Sequence, residues 1–444
     1  MKSASKKWFA VFVLPTFIAF CIAFLVPFIM GLYLSFCEFR TVSDARFVGL
    51  QNYIKAFTAN SDFLNSLWFT VKFAFATVII TNVTAFLLAL LLTRGIRGTN
   101  LFRTVFFMPN LIGGIVLGYI WQLIINGILY NYGYSITSKA VCGFLCACGC
   151  SGADAALFDK KQRGRKLMKK ANFSNIVIFI FLAALSFVFL IPIITVVLNS
   201  FKDKFSISQT PFVLPNRDIF AGIENYISGI NDTGFVSALL WSLFITVASV
   251  FIIVLFTAMT AWYITRIKTR FNILLYYLFV FSMIVPFQMV MFTMSKIANV
   301  LSLDNPFGLV LIYLGFGAGL SVFIYSGFVK TIPLSLEEAA IIDGCNVFQT
   351  FTHVVFPMLK PTAITVAILN TMWVWNDYLL PYLVIGSDYK TIPIAVQYLK
   401  GGYGSVDMGA MMAMLVLSIV PVVIFYLSCQ KYIIKGVAAG AVKG

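Results

Sequence analysis

Charged side chains are scarce in this chain. Asp, Glu, Lys and Arg make up 11% of its 444 residues, whereas soluble domains carry roughly 25%. Hydrophobic residues make up 60% of the sequence. This balance excludes an ordinary soluble globular protein and predicts an all-α, polytopic integral membrane protein.

Histidine is nearly absent, since His353 is the single one in the sequence. One histidine leaves no room for a histidine-based catalytic pair. Neither an H-E-x-x-H motif nor a G-x-x-x-x-G-K-[ST] phosphate loop occurs. The chain is therefore not expected to be an enzyme, to bind ATP in the usual way or to carry a cofactor.

The eight cysteines have no spacing that implies a disulfide framework. Four of them, Cys142, Cys146, Cys148 and Cys150, lie four, two and two residues apart, and common zinc and iron–sulfur sites use other spacings. A metal site is one interpretation of this group. Small, semi-apolar residues in a junction are the favoured one, so no metal is predicted.

Acidic residues are half as frequent as basic ones, with 16 Asp and Glu and 32 Lys and Arg. The basic residues lie beside apolar runs, where they set membrane orientation, so nucleic acid is not a predicted partner. Lys2, Lys6 and Lys7 predict a cytoplasmic N-terminus, and Lys431 and Lys435 predict a cytoplasmic C-terminus.

Long apolar runs dominate what is present. Nine of them reach the roughly 20 residues that a membrane-crossing helix needs. They lie at about 8–36, 66–93, 104–126, 174–198, 236–264, 272–294, 306–329, 361–384 and 409–430. The first is too long for a cleaved signal peptide and is predicted to stay as an anchor. Pro286 is expected to kink its run.

A tenth, marginal span is predicted between about 140 and 158. The segment 159–170 is rich in Lys and Arg and should lie in the cytoplasm, yet counting the spans before it leaves the chain outside. Something between them has to cross back. The prediction is therefore about nine to ten transmembrane helices.

An internal repeat divides the chain. The run GLQNY at 49–53 recurs as GIENY at 222–226, an offset of 222 − 49 = 173 residues, and Trp68 recurs as Trp241 at the same offset. Similarity at a fixed offset indicates two copies of one unit. The first copy stops near residue 135 after three spans, whereas the second is complete with six.

The most informative polar stretch is Ser335–Pro357, which separates two apolar runs. Ser335 and Glu338 have the spacing of a capping box that begins a short helix. Gly344 is placed to end that helix, because glycine takes the left-handed conformation without a Cβ penalty.

A second short helix is predicted to begin at Asn346, with Gln349 three residues later as in a capping box. Pro357 is expected to close the unit, since a helix interior tolerates proline poorly. The stretch therefore predicts two short helices around a glycine turn at the membrane surface.

Ala339 and Ala340 are expected to leave one face of the first helix smooth, which suits insertion into the groove of a partner. The carboxylates of Glu337, Glu338 and Asp343 are expected to pair with that partner's basic residues. An ordinary amphipathic connecting loop is the alternative interpretation.

The stretch resembles a known motif. Glu338-Ala339-Ala340, three residues, Gly344, nine residues and then a segment ending in Pro357 is similar to the "EAA" loop of ABC importer permeases, EAA-x3-G-x9-I-x-LP. Valine and phenylalanine stand in place of its isoleucine and leucine.

The resemblance implies a type I ABC importer-like permease fold in the last six spans and docking of residues 335–357 on one subunit of an ATPase dimer. It also implies a second permease chain, an extracytoplasmic solute-binding protein and membrane lipid as partners. The expected location is a bacterial inner membrane, and the expected solute is a carbohydrate or a sugar phosphate.

The resemblance has two parts. Residues 171–444 look like a whole carbohydrate-type permease subunit, similar to the maltose-type "G" and glycerol-phosphate-type "E" subunits. Residues 1–135 look like a truncated companion subunit, similar to the maltose-type "F" and glycerol-phosphate-type "A" subunits, and 136–170 form a junction. Two joined genes explain this arrangement. A non-functional fusion and a self-contained channel or secondary transporter are the alternatives.

A second group of candidate residues lies in the span after the loop. Trp375-Asn376-Asp377-Tyr378 resembles a run that is frequent in the same family. Asn376 and Asp377 in an apolar span should face a cavity, a partner or water, so they either line the solute path or mark a wetted helix end. Trp373 and Trp375 either stack on a sugar or lie at the membrane interface.

Overall fold

A computed structural model describes residues 8–40, 44–58, 61–93, 98–107, 120–121, 124, 173–399 and 407–441. These ranges are almost entirely helical. The predicted span at 104–126 lies largely outside them, and the junction at 136–170, its marginal tenth span and the cysteines at 142–150 lie wholly outside.

Five helices and one small sheet form the N-terminal part of the described chain. The helices are α1 (Leu14–Leu34), α2 (Gln51–Thr58), α3 (Ser61–Leu92), α4 (Thr99–Phe107) and α5 (Phe173–Asn199). A π-helical segment, Cys21–Leu25, interrupts α1. Strands β1 (Cys37–Glu38) and β2 (Arg46–Phe47) pair antiparallel.

Ten further helices follow. They are α6 (Glu224–Thr233), α7 (Phe235–Arg266), α8 (Arg270–Ser282), α9 (Met291–Val300), α10 (Pro306–Val329), α11 (Leu334–Ile342), α12 (Val347–Asn376), α13 (Leu379–Ile385), α14 (Ile392–Tyr398) and α15 (Met408–Ala441). Two single turns, Ser206–Gln209 and the 3₁₀ turn Phe287–Met289, complete the elements.

Seven helices of the described residues are long and apolar enough to cross a membrane, namely α1, α3, α5, α7, α10, α12 and α15. Each overlaps one of the predicted apolar runs, so seven of those nine runs are confirmed as spanning candidates. The agreement reflects a simple constraint: backbone groups in hydrocarbon find partners inside a helix.

The predicted single span at 272–294 is wrong. The structure has two helices there, α8 and α9, and the chain between them is extended at Pro286, with φ −67° and ψ 142°. Proline lacks the N–H that a continuous helix needs, and its ring clashes with the preceding turn. Pro286 therefore breaks the helix instead of kinking it.

The span predicted at 361–384 is displaced. Helix α12 begins earlier, at Val347, and ends at Asn376. Asp377 is extended, and its carboxylate accepts hydrogen bonds from the backbone N–H groups of Leu379 and Leu380, at 3.1 and 3.4 Å. Asp377 therefore caps the start of α13 instead of lying inside one continuous helix.

The described chain divides into two compact units. The first comprises the residues up to Ser66 together with Leu240–Thr391, and the second comprises Leu67–Leu239 together with Ile392–Ala438. The first unit contains α8 to α13, with α10 in its core, because two thirds of the apolar window of α10 is buried. The second unit has its own small cluster, in which α4 packs on α5.

Helix α1 is part of the core of the first unit, although it lies more than 200 residues before α7 in the sequence. Phe20 of α1 and Phe12, two residues before its start, are buried there. The Thr260 hydroxyl donates a hydrogen bond to the carbonyl oxygen of Phe12, at 2.8 Å, and the Thr293 hydroxyl donates one to that of Pro27, also at 2.8 Å. Inter-helical hydrogen bonds of this kind are a recognised stabilising feature of membrane helix pairs.

The predicted repeat has the same local structure in both copies. In the first unit, the side-chain amide of Asn52 donates hydrogen bonds to the carbonyl oxygens of Ser35, at 3.1 Å, and Cys37, at 2.8 Å. The hydroxyls of Ser35 and Tyr53 are 2.7 Å apart. We call this arrangement the asparagine latch.

The second unit contains an equivalent latch. The side-chain amide of Asn225 donates to the carbonyl oxygens of Ser200, at 2.9 Å, and Lys202, at 2.7 Å, and the hydroxyls of Ser200 and Tyr226 are 2.8 Å apart. In each copy the chain enters the latch through a glycine with positive φ, 63° at Gly49 and 58° at Gly222. Two copies of one sequence unit thus form the same polar turn after a long helix.

Gly315 of α10 tests the packing of α1. A Cβ atom there would lie 2.6 Å from the Cβ of Ala23 and against the carbonyl oxygen of Ala19. Gly315→Ala should therefore lower stability by about 1–3 kcal/mol, because the two helices would be forced apart. The measurement is thermal unfolding of the detergent-purified chain.

Gly327→Ala is the matched control in the same helix, since nothing lies within 4 Å of a Cβ at Gly327. Alanine has the higher helix propensity, so this variant should unfold at or above the temperature of the parent chain. Equal unfolding temperatures for the two variants would contradict the close approach of α1 and α10.

Candidate functional site

Helix α11 starts differently from its prediction. Its N-cap is Pro333, with φ −59° and ψ 130°, and no side chain caps the helix. Ser335 already lies inside the helix, so the capping box predicted for Ser335 and Glu338 is wrong. Proline fixes the entry angle of the chain, and Glu337 supplies a negative charge in the first turn.

The end of α11 is as predicted. Gly344 has φ +90°, its N–H donates to the carbonyl oxygen of Ile341 at 3.1 Å, and the N–H of Cys345 donates to that of Ala340 at 2.9 Å. These two bonds form a Schellman motif, which satisfies the last carbonyl groups of the helix. The chain then reverses in one residue.

The predicted second helix start is also confirmed. The N–H of Gln349 donates to the side-chain oxygen of Asn346, and the N–H of Asn346 donates to that of Gln349, each at 2.9 Å. This reciprocal pair is a complete capping box. Helix α12 therefore has a fixed beginning two residues after the Schellman glycine.

Pro357 does not close the unit, contrary to the prediction. The six residues Thr350–Val355 form a π-helical segment, in which the N–H of Phe356 reaches the carbonyl oxygen of Phe351. Pro357 falls in the turn that follows, and α12 continues to Asn376. The widened turn is where the helix adapts to a residue that has no N–H.

The two alanines of the motif lie on different faces of α11. Ala340 is buried and Ala339 is exposed, because neighbouring residues in a helix are about 100° apart. A smooth face made by both is therefore wrong. Glu337 is likewise buried, with 1% of its surface exposed, whereas Glu338 and Asp343 are exposed.

Glu337 forms an ion pair within the chain, so its predicted role in pairing with an outside partner is wrong. Its Oε1 atom accepts hydrogen bonds from Nε of Arg266, at 2.9 Å, and from Nη2, at 2.7 Å. Nη2 also donates to the carbonyl oxygen of Ile332, at 2.9 Å. Arg266 is the last residue of α7, so the pair joins the end of a spanning helix to α11.

The outer side of α11 combines acidic and apolar side chains. Glu338 and Asp343 are exposed, and so are Ile341 and Ile342, the latter with 84% of its surface. Residues four apart share a helix face, so Glu338 and Ile342 lie together on the outer side. Ile341 lies instead on the same side as Glu337. Glu338, Ala339 and Asp343 are exposed, and their role in docking on a partner stays a prediction.

The second predicted group gathers around the end of α12. The hydroxyl of Tyr313 donates a hydrogen bond to Oδ2 of Asp377, at 3.2 Å, and the rings of Tyr313 and Trp373 meet edge to face with centroids 5.4 Å apart. Trp373 is exposed, whereas Trp375 is buried. The two tryptophans thus lie on different sides of the helix and do not form one stacking platform.

The neighbouring polar residues have local partners. The side-chain amide of Asn376 donates to the carbonyl oxygen of Met372, at 2.9 Å, and the ring of Tyr378 stacks on Tyr382, with centroids 5.3 Å apart. Asp377 is half-buried and serves as a cap. These contacts fit a wetted helix end, and a role in the solute path stays a prediction.

Arg266 and Tyr313 are the residues that sequence reasoning missed. Arg266 gives a signal, since it is a basic residue at the end of an apolar run, but that signal indicates orientation alone. Tyr313 gives none, because it is 64 residues from its partner Asp377. Among the residues that the structure describes, no group of three or more His, Cys, Asp or Glu side chains is arranged to hold a metal ion.

Comparison with known proteins gives a family. Residues 253–439 match the family described as "Binding-protein-dependent transport system inner membrane component". The match covers α8 to α14, the second part of α7 from residue 253 onward and nearly all of α15, and it includes α11. A bacterial ABC transporter involved in the import of the acidic polysaccharide alginate has a crystal structure of which this chain covers 99%, with 24% identity and a TM-score of 0.48; that match spans 59% of this chain.

Three relatives are informative. The probable starch degradation products transport system permease protein AmyC of Thermoanaerobacterium thermosulfurigenes is 37% identical over 277 residues, 62% of this chain and 100% of AmyC. The multiple sugar-binding transport system permease protein MsmG of Streptococcus mutans is 37% identical over 57% of this chain and 92% of MsmG. AmyD, another probable starch degradation products transport system permease protein of T. thermosulfurigenes, is 43% identical over 117 residues, 26% of this chain and 40% of AmyD.

Full coverage of AmyC at this level of identity is decisive for the family. The helices that span, the short helix α11 and its glycine turn are those of a multi-pass membrane protein with a small surface element for contact. The chain belongs to the family of inner membrane permease components of binding-protein-dependent transport systems.

Proposed function

We propose that this chain is a permease subunit of an ABC importer for carbohydrates and that residues 335–357 couple it to a separate ATPase. The observation that carries the proposal is the match to AmyC, because it extends over the whole of that permease. The short, largely exposed helix α11 supports the proposal too. It is held at the end of the spanning helix α7 and contains the residues that resemble the family motif.

The carbohydrate class is proposed from the names of the relatives. They are named for starch degradation products, multiple sugars, and melibiose, raffinose and stachyose. These are neutral sugars, so a neutral oligosaccharide is the proposed solute. The wider expectation of a sugar phosphate has no support among these names.

The coupling surface is the outer side of α11. Glu338 and Asp343 offer carboxylates, and Ile342 offers an apolar side chain, so basic and apolar groups on the partner would complement them. The Schellman motif at Gly344 and the capping box at Asn346 hold this helix at a fixed angle to α12. A rigid mount of this kind suits the transfer of motion from an ATPase.

The number of coupling motifs predicts the composition of the assembly. The sequence has one EAA-type motif, whereas the ATPase partner is a dimer with two docking sites. A working complex therefore includes a second chain with such a motif, either a copy of this one or another permease. A solute-binding protein would deliver the sugar at the opposite side of the membrane.

The N-terminal part is proposed to be a companion-like half that is built into the structure. The asparagine latch at Asn52 and the burial of α1 in the core of the first unit support this proposal. A non-functional fusion would have no reason to preserve these contacts. The proposed orientation places both chain ends and α11 in the cytoplasm.

The docking role of Glu338 predicts the effect of a charge reversal. Glu338→Arg should abolish co-purification of the ATPase while the chain still inserts into membranes. The exposed carboxylate of α11 is replaced by a positive charge, which would repel the basic groups proposed for the ATPase. The measurement is affinity purification of the tagged chain from its own membranes, with the ATPase quantified by immunoblotting or mass spectrometry.

Asp388→Arg is the matched control. It makes the same charge change at another exposed acid, in the loop that follows α13, at the far end of α12. The 30 residues of α12 place the two sites about 45 Å apart. This variant should retain the ATPase. A parent chain that purifies without any ATPase would favour the self-contained channel or secondary transporter.

Gly344 predicts a separate, conformational effect. Gly344→Ala should destabilise the end of α11 by about 1–2 kcal/mol, because a residue with a Cβ is strained at φ +90°. Gly344→Asn should cost less, since Asn tolerates left-handed backbone. Hydrogen exchange of the backbone amides at 334–342 measures the difference. Exchange in the Ala variant as slow as in the parent chain would contradict this role.

Uptake measurements test the solute class. Cells that lack their own permease pair would receive this chain, with and without a second permease from its source organism, together with the ATPase and the binding protein of that organism. Accumulation of radiolabelled maltotriose, raffinose and sn-glycerol 3-phosphate would be compared. One of the two neutral sugars should accumulate. If the complex assembles and none of the three solutes accumulates, the non-functional fusion is the better account.

A further inference from the structure

Two neighbouring glutamates of α11 have opposite surroundings. Glu338 is exposed, whereas Glu337 is buried against Arg266 of α7. The guanidinium of Arg266 donates two hydrogen bonds to one oxygen of Glu337, and its Nη2 atom donates a third to the carbonyl oxygen of Ile332, just before α11. One side chain of α7 thus holds both the first turn of α11 and the chain that leads into it.

Packing beside the ion pair is incomplete. A cavity of about 330 Å³ is lined by Trp262 and Arg266 from α7, by Glu337 and Ile341 from α11, and by Cys345 after the glycine turn. Side chains of α7 and α11 therefore do not interlock over this area. Beside this pocket, the ion pair is the direct polar contact that joins α11 to α7.

The chemistry of the pair suits a joint that carries force. Charge-assisted hydrogen bonds are the strong ones, and two donors on one acceptor fix the direction of approach. Separating the pair would leave a carboxylate with little access to water, which is costly. Because α7 ends at Arg266, a displacement of α11 reaches a 32-residue spanning helix directly at its end.

We propose that the Arg266–Glu337 ion pair is the joint through which α11 moves α7 during transport, so that Glu337 is a positioning residue and Glu338 a docking residue. This inference rests on the proposed coupling of α11 to an ATPase. It assigns different steps to two adjacent residues: contact with the ATPase to the outer glutamate and transfer of the motion to the inner one.

The experiment compares Glu337→Gln with Glu338→Arg in the complex purified with its ATPase and reconstituted into nanodiscs or proteoliposomes. Glutamine keeps the shape of the side chain and removes its charge. Glu337→Gln should retain the ATPase and hydrolyse ATP, whereas uptake of the transported sugar identified above should fall about tenfold per ATP hydrolysed. Glu338→Arg should lose the ATPase itself.

A charge-swapped double variant separates a joint from a general loss of stability. Arg266→Glu combined with Glu337→Arg restores an ion pair in reverse, so sugar uptake per ATP should rise well above that of Glu337→Gln. Modification of the native thiol of Cys345 by a maleimide, followed by peptide-resolved mass spectrometry, gives a local measure. It should be faster in Glu337→Gln than in the parent chain and slow again in the double variant.

Two results would contradict the proposed role of the Arg266–Glu337 ion pair. One is Glu337→Gln with parental uptake per ATP. The other is a double variant that accumulates in membranes, binds the ATPase and still transports no better than Glu337→Gln; if the single variant does not accumulate, the double variant decides alone. A parent complex that lacks an ATPase would instead refute the proposed function, so the two failures are distinguishable.

Discussion

Every backbone N–H and C=O group that enters hydrocarbon has to find its partner within the chain, and an unpaired one costs several kcal/mol. Within the described helices, backbone groups bond to one another. The groups that still need a partner are those at the helix ends. The first unit stops its helices in three ways: an extended proline and a 3₁₀ turn after α8, a Schellman glycine after α11 and an aspartate cap after α12. The glycine turn satisfies the last carbonyl groups of α11, and the carboxylate of Asp377 accepts bonds from the first N–H groups of α13.

These stops also determine where the molecule meets its surroundings. The turn at Gly344 separates α11 from the long helix α12 within one residue, and the capping box at Asn346 starts α12 at once, so the angle between them has little freedom. At the far end of α12, Asp377 and Tyr313 hold the chain as it turns into α13. Helix α12 therefore has a defined set of polar interactions at each end. One set lies beside the proposed coupling surface and the other beside the proposed solute path.

Local sequence pattern predicts what local interactions decide, and it fails where distant contacts decide. Gly344 and the Asn346–Gln349 pair were predictable because their partners lie within a few residues. The inward position of Glu337 was not, because its partner Arg266 lies 71 residues earlier. The start of α11 at Pro333 and the passage of α12 through Pro357 show a second limit: proline also fixes a helix entry, and a π-helical turn absorbs its missing donor.

The burial of α1 shows what the first helix contributes to the first unit. Helix α10 carries glycine where α1 crosses it, and the carbonyl of Ala19 and the methyl of Ala23 fill the space that a side chain at Gly315 would occupy. A helix surface of small residues gains little from lipid and much from a close helix, because attraction between membrane helices depends on contact and not on the hydrophobic effect. Removing α1 would uncover this groove together with the Thr293 hydroxyl, which now donates to the carbonyl oxygen of Pro27 in α1. Helix α1 is therefore a structural component of the first unit, because it fills the groove beside Gly315.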